Sequence, residues 1–213
     1  MTIVRGFGGR LALVGGRKVG ETCSMTIHMI WKTLYWAWIL TEVWVLVVTR
    51  TRHSSGEVRD RGSLWVLWFT IFGAMFVGSW VGAVYQPAMF AAGHWLRYVC
   101  LGLLAVGLAI RWSAIYTLGR SFSSNVAIHA TQTLNQSGLF RWMRHPSYTG
   151  ILLIFLAVGL ATRNWLGLGI IVLLPAAALL YRIHVEEAAL AGAFGAEYMA
   201  YSQKTKRLIP GIY

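Results

Sequence analysis

Apolar residues fall in long runs, not in strict alternation. Residues 33–49 (TLYWAWILTEVWVLVVT), 64–85 (LWVLWFTIFGAMFVGSWVGAVY), 95–118, 149–162 (TGILLIFLAVGLAT) and 165–181 (WLGLGIIVLLPAAALLY) carry few charges. A helix crosses a bilayer's hydrocarbon with roughly 20 residues, so the pattern predicts an all-α integral membrane protein of about five transmembrane helices. Only Arg163 and Asn164 separate the last two runs, which predicts a tight C-terminal helical hairpin. Its first arm is short for a full crossing and must thin the bilayer, borrow flanking residues or sit deep against its neighbours. Pro175 is expected to kink the second arm.

Composition agrees with this pattern. Of 213 residues, 57% are hydrophobic and 12% charged, which is too apolar for an ordinary soluble domain. The formal net charge of +12 comes from basic residues that flank the apolar runs and form no stripe interleaved with stacking aromatics. Membrane lipids are therefore the expected anionic partner, and nucleic acid is not. Cys23 and Cys100 lack the spacing of a disulfide framework or a zinc site, and no metal is expected.

Retention of positive residues on the cytoplasmic side puts the 50–62 loop, with Arg50, Arg52, Arg59 and Arg61, in the cytosol. The polar segments 119–148 and 182–213 then face the cytosol too, in the inner membrane if the source is bacterial. The basic, Gly-rich residues 1–24 are the misfit, since they would lie outside. They lack a signal peptide's apolar core, so they are expected to be disordered, with Met25 or Met29 a possible natural start. Arg97 and Arg111 lie near span ends, where snorkelling accounts for them. Glu42 sits mid-span, and three readings stay open: it pairs with a basic residue of another helix, lines an acceptor path, or marks a misplaced span. Gly78 and Gly82 form a G-x-x-x-G spacing, read as bundle packing ahead of a dimer motif.

The chemistry has to reside in the two polar segments that bracket the hairpin. The antiparallel arms bring residues near 145 and 185 to one membrane face. Residues 138–150, GLFRWMRHPSYTG, place Pro146 where a helix can start. The free backbone N–H groups of such a start suit an anion, with Arg144 and His145 as reinforcement. Residues 181–201, YRIHVEEAALAGAFGAEYMAY, put Arg182 and Glu186 on one helix face. Carboxylates this close to hydrocarbon are costly unless they face a polar cavity or a bound cation, which favours a role for Glu186 and Glu187 in binding a positively charged ligand.

The spacings G-x-F-R-x-x-R-H-P-S-Y-x-G and E-E-x-x-L-x-x-x-F-G-x-E-Y-x-x-Y, separated by a hairpin, resemble the isoprenylcysteine carboxyl methyltransferases and the wider set of small membrane methyltransferases that includes phospholipid N-methyltransferases. The resemblance covers about residues 95–213, which would be the methyltransferase core, preceded by two generic transmembrane helices within 25–94. It implies a cytosolic pocket for S-adenosyl-L-methionine formed by His145, Pro146, Ser147, Tyr148 and Glu186. The preceding strip would add Gln132, Thr133, Leu134 and Asn135, with Phe140 where the family often has Tyr. Arg182 takes the place of an arginine the family associates with substrate and catalysis. Arg182 and Glu186 are thus the expected catalytic pair, and Arg182 and Glu187 the expected substrate contacts. The acceptor would be lipophilic or prenylated.

A carboxylate acceptor is already ionised, so positioning would dominate catalysis. An amine acceptor would need a base such as Glu187 or His184. A phospholipid amine, a small apolar acid or a thiol are alternatives, and a non-catalytic membrane scaffold is the alternative of another class. A transporter using Arg97, Arg111 and Glu42 is a third reading. The sequence leaves oligomeric state open.

Overall fold

The computed structural model describes residues 7–50, 57–58, 62–119, 127–128 and 133–213, with side chains described over 25–47, 62, 65–119 and 133–213. Gln132 and the arginines of the 50–62 loop therefore lie outside the described side chains. The architecture is helical: α1 (Phe7–Arg50), α2 (Ser63–Val84), α3 (Trp95–Leu118), α4 (Pro146–Ala161), α5 (Trp165–Phe194) and α6 (Ala196–Lys204). A two-residue antiparallel pairing joins β1 (Glu57–Val58) to β2 (Ala127–Ile128). Single 3-10 turns occupy Gln86–Ala88 and Gly138–Arg141.

The chain divides at residue 40 into two units. The first is the helical stretch of α1 up to Leu40, where Tyr35 meets Trp36 and Trp38 edge-on at 6.0 and 5.8 Å. The backbone of α1 begins at Phe7. No proline interrupts the first fifty residues, and each glycine costs a helix only about 1 kcal/mol.

The second unit, from Thr41 onward, holds the other helices. α2, α3 and α5 are long and apolar enough to cross a membrane; α4 is shorter. α2 and α3 keep nearly the bounds that their apolar runs predict. α5 does not end where hydropathy falls at 181. It runs through Pro175 and on to Phe194, because the residues after the apolar run are mostly good helix formers, with four alanines among them. The helix continues past Pro175, which is buried.

α3 packs along α4, α2 along α5, and α4 against α5. Glycines set how closely two of these pairs approach. A Cβ on Gly150 would lie 2.6 Å from the Gly107 carbonyl and 2.8 Å from the Arg111 nitrogen. At the other crossing a Cβ on Gly167 would lie 2.8 Å from the Gly78 carbonyl, and one on Gly82 the same distance from Thr162 Cβ. The G-x-x-x-G spacing thus serves packing within the chain. Because backbone cannot yield as a side chain can, Gly150→Ala is expected to cost about 1–3 kcal/mol. Gly102→Ala, where nothing lies within 4 Å, should be neutral or slightly stabilising. Thermal unfolding of the detergent-solubilised variants checks the contrast.

The hairpin turn closes through Asn164, which is fully buried. Its side chain accepts from the Leu166 and Gly167 N–H groups at 3.0 Å, capping α5. It also donates to the Tyr85 carbonyl at 2.7 Å. Arg163 takes φ +54 to make so short a turn, and its carbonyl accepts from Phe90 N at 2.9 Å. The two turn residues together therefore tie the hairpin to the α2–α3 connection.

The mid-span acid also has a partner. Glu42 is buried and its carboxylate receives two bonds from the Arg111 guanidinium, which is itself buried. Of the three readings for Glu42, pairing with another helix holds. Arg111 does not snorkel: it turns inward and spends its charge on Glu42.

Candidate active site

The site begins at α4. His145 precedes its first residue, Pro146, whose ring suits a helical start. Because α4 and α5 are antiparallel, this start lies beside α5's second half. Tyr148 Oη donates to Glu186 Oε2 at 2.8 Å, joining the two motifs directly. The His145 and Tyr148 rings stack with centroids 5.5 Å apart and planes 15° apart. Arg182, one turn before Glu186, is buried and within hydrogen-bonding reach of the Tyr148 hydroxyl.

Glu187 is occupied differently. Its Oε1 accepts from Arg144 Nε at 2.9 Å and lies 3.3 Å from His145 Nε2. Its Oε2 accepts from Arg207 Nε at 2.9 Å. Arg144 also donates to the Ser202 carbonyl at 2.8 Å and to the Thr205 carbonyl. Both oxygens of the residue expected at the substrate are thus engaged within the chain. Arg144, expected to strengthen an anion site at the α4 start, faces a carboxylate and two carbonyls instead.

The segment after α6 fastens this arrangement. Arg144 N and His145 N donate to the carbonyls of Lys206 and Arg207 at 2.7 and 2.9 Å, a parallel bridge running from Met143 to Lys206. Thr149 Oγ1 donates to the Leu208 carbonyl at 2.8 Å. Tyr201 Oη donates to the Phe140 carbonyl at 2.7 Å. Burial pushes the Tyr201 hydroxyl up to about 12, so it stays a neutral donor across the physiological range. Arg207 is held above its ordinary range, chiefly by its hydrogen bond to Glu187. Arg207 lies beyond α6, near the end of the 182–213 segment. No local spacing signals its pairing, because the partner lies a helix away.

The earlier strip contributes less to this cluster. Asn135 Nδ2 donates to the Thr117 carbonyl at 3.0 Å, at the end of α3. Its Oδ1 accepts from Ser137 N and Oγ at 2.9 Å. Thr133 is exposed and Leu134 half-buried. Phe140 and Pro146 are buried. Ser147 turns toward α3, its Oγ accepting from Arg111 at 2.7 Å.

The carboxylates therefore differ in availability. The Glu186 side chain is 32% exposed, against 13% for Glu187 and 3% for His145. Glu186 offers an accessible negative charge beside stacked rings, with the buried Arg182 guanidinium one turn away. Such a set can receive a cation on one side and an anionic group on the other.

A helical membrane protein whose motif residues converge at one end of a hairpin is the class that fold and site define. Residues 100–192 match the sequence model of the isoprenylcysteine carboxyl methyltransferase (ICMT) family. A probable protein-S-isoprenylcysteine O-methyltransferase of Oryza sativa subsp. indica is 34% identical over 122 residues, 56% of this chain and 64% of that protein. The Saccharomyces cerevisiae protein-S-isoprenylcysteine O-methyltransferase is 36% identical over 115 residues, 53% of this chain and 48% of its own. Among solved structures, a eukaryotic intramembrane Ras methyltransferase ICMT aligns with a TM-score of 0.58 at 28% identity, covering 68% of this chain and 52% of that one. The resemblance read from the two motifs is thus shared by a family model, curated relatives and a solved fold. The chain spans roughly half to two thirds of the length of these relatives.

Proposed function

We propose that this chain is an S-adenosylmethionine-dependent methyltransferase, working at the cytosolic membrane interface on a lipophilic acceptor, the carboxylate of an isoprenylcysteine-type substrate. The observation that carries this reading is the bond from Tyr148 to Glu186, which unites the two motifs beside the buried Arg182. Similarity to isoprenylcysteine O-methyltransferases over the same segment supports it.

The residues fit the cofactor by their donor chemistry. Glu186 keeps a partly exposed carboxylate for a positively charged group, and the Tyr148 ring, backed by the buried His145 ring, would offer a π face to a cation. S-adenosylmethionine, when bound, supplies an electrophilic methyl on a sulfonium. Tyr148 fixes the Glu186 carboxylate by donating to one of its oxygens. Arg182 would orient the acceptor carboxylate so that one of its oxygens faces that methyl. In so apolar a setting a fixed guanidinium is effective, because it needs no reorganisation as charge shifts. Thr133, Leu134, Asn135 and Gln132 would complete the cofactor's surroundings from the preceding strip.

An amine acceptor would require a base. The candidates for that role are Glu187, held by Arg144 and Arg207, and His184, which is exposed. This disposition favours an acceptor that is already ionised. Glu187 then serves the site by holding Arg144 and His145 in place.

Calorimetry on the detergent-purified full chain tests the reading. Wild type should bind S-adenosylmethionine saturably, and Glu186→Ala should lower affinity at least roughly tenfold, as expected for removal of a hydrogen bond to a charged group. Folded wild type that binds no cofactor would sink the enzyme reading and promote a non-catalytic scaffold.

A further inference from the structure

The buried pair Glu42–Arg111 is poorly explained as a stabilising device. Taking two charges out of water costs several kcal/mol per ion, and well-packed apolar residues of similar volume often hold helices together equally well. In a membrane interior the cost is no smaller. A retained intramembrane ion pair therefore calls for a second use, and the third nitrogen of Arg111 shows one.

Arg111 Nε and Nη2 both bond to the Glu42 carboxylate. A guanidinium held this way has no rotational freedom left, because its fork is planar and rigid. Its remaining nitrogen, Nη1, is thereby aimed, and it donates to Ser147 Oγ at 2.7 Å. Ser147 stands in the first turn of α4, between the buried Pro146 and Tyr148, whose hydroxyl reaches Glu186. One turn further on, Gly150 lies so close that a Cβ there would meet the Arg111 nitrogen at 2.8 Å. The backbone and side chain of one arginine thus clamp the start of α4 at two points. Glu42 sets the side-chain clamp from 69 residues away.

We infer that Glu42 is a positioning residue for the cofactor motif, acting through the Arg111 fork on Ser147 and so on the first turn of α4. This rests on the reading of that turn as part of the S-adenosylmethionine site. An acceptor path lined by Glu42 is not needed, since the carboxylate is taken up by Arg111.

Two variants of the full chain test the inference, each read by thermal unfolding in detergent and by calorimetric affinity for S-adenosylmethionine. In the paired substitution Glu42→Leu with Arg111→Met, apolar side chains replace the ion pair, so the fold should persist. Affinity should nevertheless drop roughly tenfold, within the range that coupling between contacting residues spans. Wild-type affinity in this folded variant would overturn the inference. If the paired variant does not fold, Glu42→Gln decides through a cycle with Ser147→Ala. Affinity losses that fail to add support coupling through Arg111, and additive losses overturn it. Wild type that binds no cofactor overturns the proposed function itself, whereas wild-type binding that Glu42→Gln leaves unchanged overturns only the positioning role.

Discussion

Replacing Arg144 by alanine should lower the unfolding midpoint on the order of 10 °C, more than replacing Arg207, which bonds the same carboxylate. Arg144 is almost wholly buried, its side chain 10% exposed, and it satisfies Glu187 Oε1 together with the carbonyls of Ser202 and Thr205. Its loss leaves a mostly buried carboxylate short of a partner and two carbonyls without their donor. Breaking one side of a buried pair typically costs about 3–5 kcal/mol, and each kcal/mol moves the midpoint of a chain this size by roughly 2–4 °C. Arg207 is the internal control. It bonds the same carboxylate but is 38% exposed, so solvent replaces most of what Arg207→Ala removes, and the cost should stay within about 1 kcal/mol. Arg144→Lys should recover only part of the loss, because an ammonium cannot reach three acceptors in the same fork geometry. Thermal scans of the three variants in one detergent settle the order. A midpoint for Arg144→Ala within 2 °C of wild type, or an Arg207→Ala cost larger than that of Arg144→Ala, would show that the clamp is not organised around Arg144.

The same cluster shows how far sequence alone could lead. The bounds of α2 and α3 were legible because membrane-crossing helices announce themselves by hydropathy, and the two-residue turn at Arg163 and Asn164 forced α4 and α5 to be antiparallel. From that constraint alone Tyr148 and Glu186 had to share a membrane face, and the structure brings them to 2.8 Å. Hydropathy reports the solvent, however, and not the end of a helix. The apolar run ends near residue 181, while the helical spacing of Arg182 and Glu186 pointed past it, and the helix continues to Phe194. Hydropathy also left the helical backbone of α1 before residue 33 unread.

Pairings between distant segments were the least legible. Nothing local to Glu42 indicates that its partner is Arg111 on α3. Arg111 read as an interfacial residue because position along a span says nothing about which way a side chain faces. Glu187 looked like its neighbour Glu186 in the sequence. In the structure it is 13% exposed against 32%, since a single helical step of 100° turns it from the open side toward Arg144 and the chain's tail. Adjacent identical residues thus acquire different duties, one available to a ligand and one committed to holding the site.

Under the proposed mechanism that division would make Arg182 the residue on which turnover depends. Arg182→Lys should leave S-adenosylmethionine affinity within a few-fold of wild type while slowing methyl transfer roughly 100- to 1000-fold, the range seen when a preorganised donor is removed from a reacting centre. Arg182 is buried, 3% exposed, one turn before Glu186 and beside Tyr148. In the proposed mechanism it meets the acceptor carboxylate, not the cofactor's cationic side. A planar fork holds a carboxylate at two points and fixes its approach, whereas lysine keeps the charge but gives up the orientation. The measurement is transfer of radiolabelled methyl from S-adenosylmethionine into a prenylcysteine analogue, run alongside calorimetry on the same preparations. Unaltered turnover in Arg182→Lys would remove the arginine from the reaction. Cofactor affinity falling in step with rate would place it on the cofactor side, because an interaction made only with the acceptor cannot change how tightly the free enzyme holds the methyl donor.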